Sequence, residues 1–140
     1  MAPGPKPTDL KSIWLFSGCS GTELRKIRSS LDAVTVPAGK ILVDEGRIGQ
    51  EFFIIVDGRA AVTRNGRRVA TLEAGSHFGE LALLDRRPRS ASVVSETDME
   101  MLVMSQRQFN SLLESVPTIA RKLLSALATR LREADAKAFG

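Results

Sequence analysis

A mainly β, α+β domain with helical flanks is the fold class this chain predicts, and three observations carry it. Between residues 34 and 104 short runs rich in β-branched and apolar residues recur, punctuated by Gly, Pro, Asn or Asp. On either side of that stretch the apolar residues switch to spacings of three and four, the period of an amphipathic helix. The 140 residues suit about one domain, and 43% hydrophobic with 26% charged residues is ordinary for a globular protein.

Residues 1–8, with Pro3, Pro5 and Pro7, read as a disordered Pro-rich tail, and 9–140 as one domain. Residues 9–16 predict a short helix with Trp14 and Phe16 as anchors. Ser20-Gly21-Thr22-Glu23 offers N-cap chemistry for a second helix, with Leu24, Ile27 and Leu31 on one face. Strands are expected at 34–36, 40–43, 51–56, 60–63, 67–72, 90–95 and 100–104, a spacing that argues a sandwich or closed barrel. Asn65-Gly66 is the strongest hairpin signal, since both residues tolerate positive φ. Ser105 then caps a helix carrying Phe109, Leu112 and Leu113. Pro117 opens a long final helix with Ile119, Leu123, Leu127 and Leu131 in one stripe, widened by Leu124. The stripe packs either on the barrel or on a second chain as a parallel coiled pair.

Composition narrows the function. No apolar run is long enough to span a bilayer and the amino end lacks a secretory signal core, so a cytoplasmic location is expected. The single cysteine, Cys19, can form no internal disulfide and has no neighbouring His or Cys for a metal site. A net charge of +4 is spread along the chain, with no basic arm and no tyrosine, which argues against direct nucleic-acid binding. A lone histidine, His77, cannot build the multi-His site of a metal-dependent cupin, and no elbow motif supports Ser-His-Asp catalysis. His77 reads as a turn residue and the chain as no enzyme.

Residues 78–93 concentrate the chemistry. Gly79 followed by Glu80-Leu81-Ala82-Leu83-Leu84 can turn sharply and open a short helix, whose first N–H groups lack intrahelical partners and attract an anion. Beyond Pro88, which interrupts any helix, Arg89 offers a planar, permanently charged fork suited to a pair of phosphate oxygens. Ser90 adds a hydroxyl, and the small Ala91 lets backbone come close. A carboxylate beside a phosphate is repelled unless it accepts from neutral donors, so Glu80 fits a ribose hydroxyl. One acid plus one base therefore points to a phosphorylated sugar. The competing interpretation is a solvated Arg-rich turn with a surface ion pair worth under ~1 kcal/mol. Arg86 and Arg87 are expected to be solvent-facing turn residues.

This segment resembles the phosphate-binding cassette of the cyclic nucleotide-binding domain family, found in bacterial catabolite-type regulators, kinase regulatory subunits and gated channels. Phe16, Pro37-Ala38-Gly39, Glu45-Gly46, Phe52-Phe53-Ile54-Ile55, Asp57-Gly58, Leu72-Glu73-Ala74-Gly75 and Phe78-Gly79-Glu80 fall where the family keeps similar signatures, from about Leu10 to Ala136. The resemblance implies an eight-stranded antiparallel β-roll of jelly-roll type, with helices at its amino end and two after it. It also assigns ligand contacts. Arg89 would hold the exocyclic oxygens of the cyclic phosphate and Glu80 the ribose 2'-hydroxyl. Gly79, Leu81, Ala82 and Ala91 would supply close backbone, with Ser90 near the phosphate or the base. Val62, Val69 and Leu72 resemble the apolar wall beneath the base, or are ordinary barrel core.

Bacterial regulators of the family reach the adenine with hydroxyl side chains late in the last helix, where this chain has Ala134-Asp135, so Arg130 or Asp135 would substitute. Cyclic AMP is the expected ligand, with cyclic GMP the rival, and no cofactor is expected. The chain ends where family regulators continue into a winged helix-turn-helix and kinase subunits into a second copy. A stand-alone sensor and a fragment of a longer regulator, channel or enzyme are therefore both compatible with it. The functional expectation is a non-catalytic cyclic nucleotide receptor whose final helices move on binding, with a homodimer through the last helix as a further partner. The alternative is a degenerate β-roll serving as an interaction or dimerisation module.

Overall fold

The chain enters the fold through two 3-10 turns, Leu10–Ser12 and Trp14–Phe16, where one short α-helix was expected. Bonds of the i→i+3 type from the Ile13 N–H to the Leu10 carbonyl and from the Phe16 N–H to the Ile13 carbonyl tighten the backbone. A three-residue period sets Leu10, Ile13 and Phe16 on one side, and all three are buried. The computed structural model describes residues 10–49, 51–79 and 88–139, without the side chains of residues 12, 130 and 137–139. The expected tail at 1–8 lies outside the described residues.

Helix α1, Gly21–Ser29, starts where Ser20 predicts. The Ser20 hydroxyl accepts from the Glu23 N–H while the Glu23 carboxylate accepts from the Ser20 N–H, a reciprocal capping box. Among the described residues eight strands follow: β1 Asp32–Val36, β2 Ile41–Val43, β3 Glu51–Asp57, β4 Ala60–Arg64, β5 Arg67–Leu72, β6 His77–Phe78, β7 Ser92–Ser95 and β8 Met99–Ser105. They form two antiparallel four-stranded sheets, ordered β1-β8-β3-β6 and β2-β7-β4-β5. The hairpin at Asn65-Gly66 is present, with φ of 53° and 78° at its two central residues. Strand β6 was not expected. It pairs Phe78 with Phe53 and His77 with Ile54, so His77 is a strand residue and not a turn residue, and its ring lies edge-on to Phe52 at 5.7 Å. Two residues are too few to display an alternation.

Helix α2, Gln106–Ser115, repeats the capping box with Ser105 and Gln108, and α3 spans Pro117–Phe139. The first sheet is the middle layer of the molecule. Phe52, Ile54 and Met104 face the helices, meeting Phe16, Ile27, Phe109, Leu112 and Ile119. Phe53, Ile55, Met101 and Val103 face the second sheet, meeting Val43, Ala60 and Val93. The continuous run Phe52-Phe53-Ile54-Ile55 is apolar because both faces of β3 are buried. Helix α3 is held by Ile119 and Leu123; Leu124, Leu127 and Leu131 are exposed, so the last part of the stripe does not pack on the barrel.

Candidate functional site

Arg89 lies between Pro88 and β7, and its main chain is fixed before its side chain acts. Its N–H donates to the Arg47 carbonyl at 2.7 Å, and its own carbonyl accepts from the Gly46 N–H at 2.8 Å. An isolated bridge joins Ile48 to Pro88 beside them. The β2–β3 connection and the segment carrying Arg89 are thus zipped together by backbone bonds, which do not depend on side-chain identity.

The guanidinium then turns toward the start of β3. Its Nη2 donates to the Glu51 carbonyl at 2.9 Å. Glycines occupy both flanks of the group. A Cβ added to Gly79 would stand 2.9 Å from Nη1 and 2.5 Å from the Glu51 carbonyl oxygen, and Gly79 itself has φ of 94°, where a side chain is strained. A Cβ added to Gly49 would overlap the guanidinium at Nε, Cζ and Nη2. Among the described residues a cavity of about 190 Å³ opens beside Arg89, lined also by Val43, Asp44, Arg47, Ile48, Glu51 and Phe53. Asp44 and Arg47 pair at 3.4 Å, both largely exposed, so the pair contributes little to stability.

Neighbouring strands steady the far side of the same segment. The Arg64 Nε donates to the Ser90 carbonyl at 3.1 Å. Glu45 holds the tip of the β4–β5 hairpin, its carboxylate accepting from the Asn65 N–H at 3.0 Å, while its own N–H donates to the Ser92 hydroxyl at 2.8 Å. Ser90 is exposed and Ala91 half-buried. Val62 and Leu72 pack against the inter-sheet core, whereas Val69, at 52% exposure on β5, does not. Ordinary barrel packing accounts for the first two and not for the third.

Glu80, Leu81 and Ala82 lie outside the described residues, as do Leu83, Leu84, Asp85, Arg86 and Arg87, and the short helix expected after Gly79 lies there too. Arg130 falls within α3, its side chain undescribed; Asp135 is on the same helix and exposed. What the structure brings together is therefore Gly79 and Arg89. Sequence reasoning missed Gly49, the Glu51 carbonyl and Arg64. A glycine within the Gly46-Arg47-Ile48-Gly49 turn was the available signal for the first; a backbone acceptor leaves no trace in residue identity.

Size alone does not identify the site. A cleft of about 420 Å³ beside β1 and β8 is lined mainly by apolar residues such as Leu10, Leu31, Val34 and Met101. Another of about 430 Å³ carries Asp57, Asp98 and Glu100, a charge set that repels a phosphate. The smaller cavity joins a fixed guanidinium to closely approachable backbone, the combination an anion needs.

Comparison with known proteins gives the class. The profile of the cyclic nucleotide-binding domain matches residues 33–116, and the chain belongs to that family. It is 37% identical over 115 residues to a cyclic AMP-dependent protein kinase regulatory subunit of Aspergillus niger, covering 81% of this chain and 28% of that protein. It is 34% identical over 131 residues to the cyclic AMP receptor protein of Thermus thermophilus, covering 90% of this chain and 61% of the other. The regulatory domain of the Toxoplasma gondii kinase, solved with cyclic AMP, superposes with a TM-score of 0.72 at 28% identity, over 86% of this chain and 47% of that one. The fold is the β-roll of these regulators, and the chain is a cyclic nucleotide-binding domain of the regulatory-subunit and receptor-protein type. It spans 28% to 61% of the length of these relatives.

Proposed function

We propose that this chain is a non-catalytic receptor for a cyclic nucleotide, with cyclic AMP preferred, that converts binding into movement of α2 and α3. The observation that carries this is the placement of Arg89. Its guanidinium is held by the Glu51 carbonyl between two glycines at the head of a cavity, where its positive charge suits a phosphate. A preplaced donor costs little ordering on binding. The preference for cyclic AMP is supported by the ligand named for the kinase and receptor relatives.

In this scheme Arg89 holds the exocyclic phosphate oxygens and Glu80 accepts from the ribose 2'-hydroxyl. Backbone at Gly79, Leu81, Ala82 and Ala91 approaches the phosphate, with Ser90 beside it. The base lies toward Val62, Val69 and Leu72 on β4 and β5, under Arg130 or Asp135 of α3. Ligand shifts a pre-existing equilibrium of the helices by no more than its differential affinity for the two states. A cytoplasmic setting, and self-association through the exposed leucines of α3, belong to the same proposal.

The test is a calorimetric competition of cyclic AMP against cyclic GMP on the unmutated chain and on Arg89→Ala. Losing a buried charge-assisted contact costs ~2 to 5 kcal/mol, or about 30- to 4000-fold in affinity. Equal affinity in the two proteins would end the assignment of Arg89 to the phosphate. The rival, a β-roll that serves only as an interaction module, is favoured by the exposed stripe Leu124, Leu127 and Leu131. A thermal melt with millimolar cyclic AMP separates them, because a bound ligand raises the midpoint by mass action and a module's midpoint stays fixed.

A further inference from the structure

We infer that Gly49 is a positioning residue for Arg89: its missing side chain is the berth in which the guanidinium lies. This rests on the nucleotide reading for its functional half and on geometry alone for its structural half. Gly49 is outside the left-handed region, so alanine can adopt its backbone conformation and the requirement at this position is space. The atoms that an added Cβ would meet are Nε, Cζ and Nη2 of Arg89, the part of the side chain that carries the donors. They cannot move away from position 49 without breaking the bond by which Nη2 donates to the Glu51 carbonyl at 2.9 Å. The Arg89 main chain is fixed by bonds to Gly46 and Arg47, so the whole residue cannot back out either. A methyl at position 49 therefore swings the fork off Glu51 and changes the direction of its remaining donors, which a phosphate would sense.

The test is a double-mutant cycle with two readouts. In ligand-free protein, Gly49→Ala overpacks the berth and should lower the melting midpoint by about 3–10 °C. In an Arg89→Ala background, where the berth is empty, the same substitution should cost under about 2 °C. In calorimetric titration of cyclic AMP, Gly49→Ala should weaken binding roughly 10- to 100-fold, and add nothing further once Arg89 is alanine. Equal loss of midpoint in both backgrounds would overturn the berth, because it would assign the cost to backbone or other neighbours. Coupled melts with unchanged affinity would overturn the positioning role. A flat titration of the unmutated chain would instead overturn the nucleotide reading, and with it the functional half, while the melts still decide the berth.

Discussion

Ile119→Ala should separate the part of α3 that the fold holds from the part it does not. Ile119 is fully buried, and it packs in the cluster that includes Phe16, Phe109 and Leu112. Truncating a buried isoleucine to alanine removes three carbons and leaves a cavity, at a cost of about 2–5 kcal/mol. For a domain of this size each kcal/mol moves the midpoint by about 3.5 °C, so the expected fall is about 7–18 °C. Leu131→Ala is the internal control. Leu131 is 65% exposed on the same helix, and a surface truncation should stay within about 0.5 kcal/mol, or about 2 °C. Scanning calorimetry of both variants, with reversibility checked by a second scan, decides the matter. A fall under about 4 °C for Ile119→Ala, or a similar fall for both, would refute the view that α3 is attached through its first turns.

Self-association through α3 would bury Leu124, Leu127 and Leu131 from each chain, at about 1.5–3 kcal/mol for each leucine fully buried. Set against the cost of association, that supports a weak pair. Sedimentation velocity should show concentration-dependent dimer that Leu127→Glu abolishes, and an unchanged profile would exclude this face. The Glu23 carboxyl is held below its ordinary value, first by the Ser20 backbone N–H and then by the Thr118 hydroxyl. A lowered folded value means stability present above the unfolded carboxylate range and lost as pH falls through the folded one. Midpoints should therefore drop on acidification below about pH 4.5, more steeply than in Glu23→Gln; parallel curves would remove Glu23 from that dependence. Burial, with Glu23 adding to it, pushes the Cys19 thiol up, and the residue is only 3% exposed. A thiol reagent at neutral pH should react with native protein at the rate of unfolding, and rapid labelling would contradict that burial.

The sequence displayed the fold where local chemistry and burial agree. Ser20 with Glu23 and Ser105 with Gln108 each carry the reciprocal caps that their side chains can make, so the starts of α1 and α2 were legible. Asn65-Gly66 marked its hairpin because few other residues accept the backbone conformation that it adopts. Strand β6 was invisible because a two-residue strand owes its existence to its partner β3, not to its own pattern. The amino-terminal turns were read as helix because apolar residues at short spacings suit either geometry, and the i→i+3 bonds that distinguish them are backbone features. In the site, Arg89 and Gly79 were legible as types, whereas the acceptor that orients the arginine is a main-chain oxygen that any residue at position 51 would supply.

That division of labour bears on how a ligand signal could leave the domain. The acceptor for Arg89 sits at the first residue of β3, and the next four residues are buried on alternating faces against both core clusters. Moving the guanidinium's anchor would disturb the helix-facing and the inter-sheet core at once, so the anchor is stiff. Helix α3, by contrast, meets the core through Ile119 and Leu123, with Thr118 bonded to Glu23 of α1, and beyond them its described side chains are mostly solvent-exposed. Few buried contacts mean a low free energy of local release. If Arg89 takes the ligand as proposed, a change in α3 would cost less than a change in the sheet. The same asymmetry explains why substitutions in β3 should alter stability strongly, while those at the exposed Leu124, Leu127 and Leu131 should leave it nearly unchanged.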